Sequence, residues 1–318
     1  MNGLGQTRLK FLTNVALGAL STLTIAGISA NPSFGSPEGV SEGMQYNLIQ
    51  AVILGMVQGL TEFLPISSTA HLKAIPVALG WGDPGVALTA VIQLGSIVAV
   101  LIYFWQDLTD ITLGTWRAIK TSNYQANEFR LAVGIAVGTI PILFFGLLIT
   151  VFVPDYDHSI LRSTTAIAVA SILMGLLLGV AEKICTHKRS YEQIGIKDGI
   201  IVGLAQTLAI IPGVSRSGST ITAGLFISLQ RATAARFSFL LGIPAITLAG
   251  IVGLKDVIDV GINGNELASV IVAVVSSAIF SYLAIAWLIR YLQQQSTWVF
   301  VWYRVILGLV ILGAIAFQ

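Results

Sequence analysis

Six long stretches of this chain carry no acidic or basic side chain well inside them. They span roughly 86–104, 131–153, 164–181, 237–254, 268–289 and 300–317, and Arg304, one turn into the last stretch, is the exception. A helix needs about 20 apolar residues to cross a bilayer, where lone strands cannot satisfy their backbone groups. The stretches therefore predict an all-α polytopic membrane protein with about six transmembrane helices, in which Arg304 snorkels to the interface.

The composition excludes several other classes of protein. Only 10% of the 318 residues are charged, whereas a soluble domain carries about 25%. The net charge of +2 gives no reason to expect a nucleic-acid partner. Cys185 is the only cysteine and the three histidines are scattered, so neither a disulfide framework nor a cysteine or histidine metal cluster is expected.

Two further apolar segments are interrupted by polar, proline-bearing turns. Segment 47–80 is broken at 63–69, and segment 197–230 is broken at 212–218. Irregular backbone at membrane depth persists only when it is buried in protein or lines a wet cavity. Each segment is therefore predicted to be a re-entrant hairpin of two half-length helices.

The two broken segments also resemble each other. An offset of 147 residues aligns Pro65 with Pro212, Ser68 with Ser215, and Gly95 with Gly242. Three apolar stretches follow each hairpin, and this odd number of crossings would invert the second copy relative to the first. The pattern predicts a membrane domain over 46–318 built from an inverted repeat (46–181 and 197–317), with the site where the broken helices meet.

The distribution of basic residues predicts the orientation. One set of loops holds Arg117, Lys120, Arg130, Lys183, Lys188, Arg189, Lys197, Arg231, Arg236 and Arg290, whereas the other holds only Arg162 and Lys255. The richer side is predicted to be cytoplasmic, so the first hairpin would enter from outside and the second from the cytoplasm. Residues 1–45 fit a signal-like segment or an uncleaved anchor followed by a linker.

The first break is surrounded by residues that can do chemistry. Gln58 and Glu62 are four residues apart and share a helix face, while Ser67 or Ser68 can cap the next half-helix. His71 follows Ser68 by three residues. An ionisable group at membrane depth is a functional candidate by default, and the structural alternative for Glu62 is an ion pair or a protonated, hydrogen-bonded carboxyl.

The second break combines an arginine with hydroxyls and the start of a half-helix. Helix N-termini bind anions through free N–H groups, and the Arg216 guanidinium suits phosphate oxygens. The structural alternative is a buried salt bridge between Arg216 and Glu62. The candidate catalytic residues are Glu62, Ser68, His71 and Arg216, and the candidate substrate-binding residues are Gln58, Ser67, Thr69, Ser215, Ser217 and Gly218.

Together the two breaks predict a site for an oxyanion, most plausibly phosphate. Ser68 could attack phosphorus with His71 as its general base, or His71 could activate water directly. A bare carboxylate would repel phosphate, so Glu62 would be protonated, orient His71, or bind a divalent cation.

These clusters resemble the undecaprenyl-diphosphatase family, also called the bacitracin-resistance proteins. The resemblance rests on two motifs, Gln58 to His71 and Pro212 to Gly218, and it covers about residues 45–318. It implies a multi-pass enzyme of the bacterial plasma membrane, opening to the periplasm, that converts undecaprenyl diphosphate to undecaprenyl phosphate and recycles the cell-wall lipid carrier. It also implies Ser68 as nucleophile, His71 as acid/base, Arg216 as phosphate clamp, and Mg²⁺ or Ca²⁺ near Glu62.

The chain departs from the family's motifs at two positions. Gln58 stands where many relatives have Glu, which weakens a two-carboxylate metal site, and Ala70 stands where relatives often have Gly.

The type-2 phosphatidic-acid phosphatases are excluded, because they need a histidine after their arginine and no histidine follows His187. A polyprenyl-phosphate transporter or flippase stays as the alternative, the bilayer is an expected partner, and the oligomeric state is open, with a homodimer among the candidates.

Overall fold

The computed structural model describes residues 46–153, 156, 159–260 and 264–317, so the predicted signal-like segment and linker lie outside the described residues. Within these ranges the regular structure is helical, apart from one bridge between Arg189 and Leu229. The described α-helices are α1 (Leu48–Phe63), α2 (Ser68–Ala78), α3 (Gly85–Tyr103), α4 (Trp105–Lys120), α5 (Asn127–Phe152), α6 (Thr164–Ile184), α7 (Ile196–Gln206), α8 (Arg216–Phe226), α9 (Arg231–Val260), α10 (Gly264–Gln294) and α11 (Trp298–Ala316).

Five of these helices, α5, α6, α9, α10 and α11, are long and apolar enough to cross a membrane. The pair α3 and α4, separated by one residue and bent by 67°, together make a sixth candidate span. Each of the six predicted apolar stretches lies, to within one residue at its end, within α3 or within one of the five long helices. The prediction of an all-helical, multi-pass membrane protein is therefore confirmed, whereas α4 is a helix that the apolar stretches did not indicate.

The predicted breaks are confirmed as well. The first lies between α1, which ends at Phe63, and α2. In the second, α7 ends at Gln206, a short 3₁₀ turn covers Thr207–Ile210, and α8 begins at Arg216. Proline and glycine in both turns favour an interrupted helix because proline lacks an N–H donor and glycine adopts left-handed backbone.

The structural register of the two breaks differs from the predicted offset by one residue. The residues that cap α2 and α8 are Ser67 and Ser215, which are 148 positions apart. The second turn holds one more residue between its proline and its cap, and Gly213 within it adopts φ +90°. Ser68 therefore corresponds to Arg216, whereas the alignment on prolines predicted that it corresponds to Ser215.

Close helix packing explains many of the glycines in the apolar stretches. A Cβ added to Gly59 of α1 would lie 2.6 Å from the Ser277 carbonyl oxygen of α10. A Cβ on Gly203 of α7 would lie 2.1 Å from the Gly138 carbonyl oxygen of α5. Small residues let helix backbones approach closely in membranes, and these contacts fix the two hairpins against long helices.

Ion pairs tie several helix ends together at the start of α9. Arg231 pairs with Glu182 at the end of α6, and Arg236 pairs with Asp107 at the start of α4. Glu182 also accepts hydrogen bonds from the Thr297 amide and hydroxyl, at 3.3 and 2.9 Å. Because these helix ends meet, they lie at one end of the bundle, and both arginines belong to the group predicted to be cytoplasmic.

Candidate active site

The two half-helices that follow the breaks begin with strained serine caps. Ser67 has φ 75° and its Oγ accepts a hydrogen bond from the Ala70 amide at 3.4 Å. Ser215 has φ 70° and its Oγ accepts from the Gly218 amide at 3.1 Å. Left-handed backbone costs a non-glycine residue about 1–3 kcal/mol and concentrates at functional sites. The same strained cap in both breaks marks this region as the candidate site.

Glu62 lies at the centre of the site, and four side chains donate to its carboxylate. Oε2 accepts from Gln58 Nε2 at 3.0 Å and from Ser68 Oγ at 2.8 Å. Oε1 accepts from Gln93 Nε2 at 2.9 Å and from Arg216 Nη2 at 3.2 Å. Glu62 is only 5% exposed. The structure therefore brings the two broken segments together at one carboxylate, and the alternative Arg216–Glu62 ion pair is formed.

The Ser68 side chain contacts the other side of the first break. It is the first residue of α2, and its hydroxyl donates to Glu62 across the break. A carboxylate at hydrogen-bond distance can accept the proton of an attacking hydroxyl. The structure therefore pairs Ser68 with Glu62, while the predicted pairing of Ser68 with His71 is not formed.

His71 has other partners on both ring nitrogens. Nδ1 is 2.7 Å from the Ser67 carbonyl oxygen, and Nε2 is 2.6 Å from the Tyr303 hydroxyl. A carbonyl oxygen can only accept, so Nδ1 carries a proton, whereas the Tyr303 hydroxyl can either donate to Nε2 or accept from it. The ring is 4% exposed. In this arrangement the His71 ring holds the strained cap of α2 through the Ser67 carbonyl oxygen.

One nitrogen of the Arg216 guanidinium has no hydrogen-bond partner among the described residues. Nη2 donates to Glu62 and Nη1 to the Ser238 carbonyl oxygen at 3.2 Å, whereas Nε is buried with no hydrogen-bond partner among the described residues. Gly242 of α9 leaves room for this side chain, since a Cβ there would lie 2.1 Å from Arg216 Nη1. A buried, unpaired N–H beside an ionised pair is suited to a phosphate oxygen.

Arg304 was predicted to snorkel to the interface, and this prediction is wrong. Its side chain has no exposed surface. Nη1 donates to the Pro65 carbonyl oxygen at 3.0 Å, and Nη2 donates to the Gly213 and Val214 carbonyl oxygens at 2.8 and 2.9 Å. Nε donates to the Ser171 carbonyl oxygen at 3.1 Å. The backbone carbonyls of both breaks satisfy its donors, so Arg304 cross-links the two turns beneath the site.

The predicted substrate-binding hydroxyls also connect the two breaks. Ser217 Oγ donates to the Leu64 carbonyl oxygen at 2.9 Å, and the Gly213 amide donates to Thr69 Oγ1 at 3.3 Å. Thr69 and Ser217 are 148 residues apart, so each half-helix uses its second residue to hold the opposite turn. Gly218 packs under Arg304, since a Cβ there would lie 2.8 Å from Arg304 Nη1.

The residues present limit how a divalent cation could bind. Within the described ranges no group of three or more His, Cys, Asp or Glu side chains could hold a metal ion. The side chain of Gln58 is an amide and not a carboxylate, and it donates a hydrogen bond to Glu62. A cation bound here would take most of its ligands from the substrate, because Mg²⁺ is often held by one carboxylate plus substrate phosphates.

Sequence reasoning missed three residues of this site. Gln93 lies in the middle of α3 and donates to Glu62, while Tyr303 and Arg304 are neighbours on α11 that reach His71 and both turns. A signal was available for Arg304, because an arginine inside an apolar stretch is costly unless it is paired. Nothing in the spacing of Gln93 or Tyr303 indicated their partners.

Comparisons with known proteins find a family match and several similar proteins. A family described as "Bacitracin resistance protein BacA" matches residues 51–310. An undecaprenyl-diphosphatase of Trichodesmium erythraeum is 63% identical over 276 residues, covering 87% of this chain and 88% of that protein. An undecaprenyl-diphosphatase of Synechocystis sp. is 62% identical over 87% of this chain and 85% of its own length. Another of Nostoc sp. is 62% identical over 91% of this chain and 89% of its own length.

Proposed function

The chain belongs to the bacitracin resistance protein BacA family, and from this membership we propose that it hydrolyses undecaprenyl diphosphate to undecaprenyl phosphate and inorganic phosphate. The relatives that this chain matches over most of their length are named undecaprenyl-diphosphatases. The name favours hydrolysis over the transporter that the sequence left open. Removal of one phosphate regenerates the lipid carrier for cell-wall precursors and accounts for the link to bacitracin resistance.

One observation carries the proposal for the site. The Ser68 hydroxyl and the Arg216 guanidinium contact opposite oxygens of the Glu62 carboxylate, at 2.8 and 3.2 Å. These contacts bring together the side chains that we propose as nucleophile, base and phosphate-binding cation, although Ser68 and Arg216 lie 148 residues apart. A transporter would need to bind phosphate but would not need a hydroxyl aligned with a base.

The chemistry follows from these contacts. Ser68 Oγ attacks the terminal phosphorus and its proton passes to Glu62, while the bond from phosphorus to the bridging oxygen breaks and undecaprenyl phosphate departs. Water then attacks the phosphoserine and the bond from phosphorus to Ser68 Oγ breaks. Glu62 returns its proton to Ser68 Oγ, inorganic phosphate leaves with the hydroxyl of the water, and the other proton of the water is released to solvent. Arg216 stabilises the charge on the equatorial oxygens through its unpaired Nε–H, and it leaves Glu62 as the phosphate arrives.

His71 has a supporting part in this scheme. Its Nδ1–H holds the Ser67 carbonyl oxygen at 2.7 Å and so fixes the cap that precedes the nucleophile. The role of acid/base that the resemblance implies would require Nε2 to exchange the Tyr303 hydroxyl for substrate or water. Such an exchange would accompany substrate binding, because catalytic hydrogen bonds often tighten only when substrate binds.

A divalent cation, Mg²⁺ or Ca²⁺, is part of the proposal. The Glu62 carboxylate and the oxygens of the diphosphate would hold it, and the chemistry it would supply is neutralisation of phosphate charge. Isothermal titration should then show weak Ca²⁺ binding by the protein alone and tighter binding when a non-hydrolysable diphosphate is present. Equal affinity in both titrations would contradict a cation that arrives with the substrate.

The location of the enzyme is also proposed. The excess of basic residues at the end that holds Arg231 and Arg236 supports a cytoplasmic face there. The protein would then lie in the bacterial plasma membrane with its site open to the periplasmic side. A lipid with a long polyprenyl chain can enter such a site sideways from the bilayer, while its charged head occupies the polar pocket.

The direct test is phosphate release from a polyprenyl diphosphate by the purified protein. The expected result is steady release by the native chain and a loss of at least about 100-fold in Ser68→Ala. A native chain that moves the lipid across vesicle membranes but releases no phosphate would overturn the proposal. Ser122→Ala, which alters an exposed serine in the loop after α4, is the matched control and should keep native activity.

A further inference from the structure

The helix α4 presents three different surfaces around its circumference. It follows α3 at a bend of 67°. At 100° per residue, the positions facing the protein are those of Leu108, Ile111 and Ala118. Ala118 is 3% exposed, and Leu108 and Ile111 pack against the main hydrophobic core. This surface fixes how the rest of the helix is presented to the surroundings.

A second surface of α4 is exposed and apolar. Trp105, Trp116 and Ile119 lie within about 60° of one another around the axis, and they are 71%, 57% and 49% exposed. Thr109 and Thr112 lie on the same side, and their hydroxyls donate to backbone carbonyls of α4 at 2.7 Å. Their polarity is therefore satisfied within the helix, so this surface offers almost nothing to water.

The third surface of α4 is exposed and polar. Gln106, Asp110 and Arg117 lie on it, opposite part of the core-facing side. Lys120 lies at the boundary between the polar and apolar surfaces, with its Nζ 4.8 Å from the ring centre of Trp116. Such a boundary is where lysine and tryptophan meet lipid headgroups, since both have an apolar body and a polar end.

The orientation of α4 is fixed by contacts with neighbouring helices. Asp107 pairs with Arg236 of α9. Thr115 Oγ1 donates to the Glu128 carbonyl oxygen at 3.2 Å, and the Cβ position of Gly114 is filled by the Glu128 side chain at 2.5–2.6 Å. The exposed surfaces are thus fixed relative to the bundle.

The apolar surface of α4 continues the lipid-facing side of α3. Val98 and Ile102 of α3 are 47% and 61% exposed, and the exposed Trp105 lies three residues after Ile102, across the bend. From this continuity we infer that α4 is an interfacial helix. Its apolar surface lies in the boundary between headgroups and acyl chains, Lys120 contacts lipid phosphates, and the polar surface faces water.

The inference is tested with spin labels on the full chain in lipid bilayers. One label is attached at a time, to Thr112→Cys or to Asp110→Cys, and both of these positions are exposed. The native cysteine is removed by Cys185→Ser. Collision rates with oxygen, which concentrates in lipid, and with a water-soluble nickel chelate are measured at each. We expect the ratio of oxygen to nickel collisions to be higher at 112 than at 110.

Two results would overturn the inference. Equal, high nickel collision rates at both positions would put α4 in water away from the bilayer. Equal, low nickel rates at both would make α4 the continuation of a buried span. Ile119→Cys and Gln106→Cys repeat the comparison on the apolar and polar surfaces, in case either first label disturbs the helix. The ratio of oxygen to nickel collisions is expected to be higher at 119 than at 106. Phosphate release by each labelled protein reports whether the fold is intact.

Discussion

Gly242 offers a test of the Arg216 position without changing any residue that contacts substrate in our proposal. Its Cα lies against the guanidinium, and a Cβ there would be 2.1 Å from Nη1 and 2.7 Å from Cζ. Ordinary contact begins at about 3.4 Å, so Gly242→Ala must move the guanidinium by more than 1 Å. That movement breaks the bonds from Arg216 to Ser238 and Glu62, at 3.2 Å each.

The expected cost of Gly242→Ala is large for so small a change. A misplacement of about 1 Å can lower turnover by roughly 100-fold, which is about 2.7 kcal/mol of transition-state stabilisation. The assay is phosphate release from a polyprenyl diphosphate under initial-rate conditions, with thermal unfolding measured in the same detergent. The protein should remain folded, because the clash falls on the end of a side chain.

Gly146→Ala is the matched control for this prediction. Gly146 also lies inside a long helix, α5, and nothing lies within 4 Å of its added Cβ. Its activity should be native, with stability raised by up to about 1 kcal/mol because alanine favours helix. If Gly242→Ala kept activity within about threefold of the native value, Arg216 would not be positioned as described and the clamp would be refuted.

Three further substitutions test other contacts of the site. Glu62→Gln should lower turnover by about 100-fold or more, because Ser68 loses its proton acceptor; native turnover would exclude Glu62 as the base. Tyr303→Phe should cost about 1 kcal/mol of stability through the lost hydrogen bond to His71, measured by thermal unfolding, and an unchanged midpoint would argue against that bond. Arg304→Met should destabilise the protein by roughly 3 kcal/mol or more, because four buried carbonyl oxygens lose their donor; an equal midpoint would mean that the two turns hold without it.

The sequence predicted the parts of the fold that depend on local chemistry. The apolar stretches located the helices, and proline with glycine located both breaks, because these residues act on the backbone where they stand. The pairing of Gln58 with Glu62 followed from helical spacing and is formed at 3.0 Å. The breaks also supplied the resemblance to a family.

The parts that were missed depend on contacts between distant residues. Arg304 was assigned to the interface from its position in an apolar stretch, whereas its partners, Pro65 and Gly213, lie 239 and 91 residues away. Ser68 and His71 share a half-helix, but Ser68 donates to Glu62 of α1 and His71 Nε2 contacts Tyr303 of α11. The core-facing side of α4 makes it a stable helix, and only packing against α5 reveals that side.

The central claim is that two distant turns form one phosphate site in which Ser68 attacks phosphorus. An experimental structure of the protein in lipid nanodiscs with bound orthovanadate, which imitates phosphorus under attack, tests it most directly. Our account predicts vanadium bonded to Ser68 Oγ, with Arg216 donating to its equatorial oxygens. Vanadate bound away from both side chains, or a separation of the two turns by lipid, would contradict it.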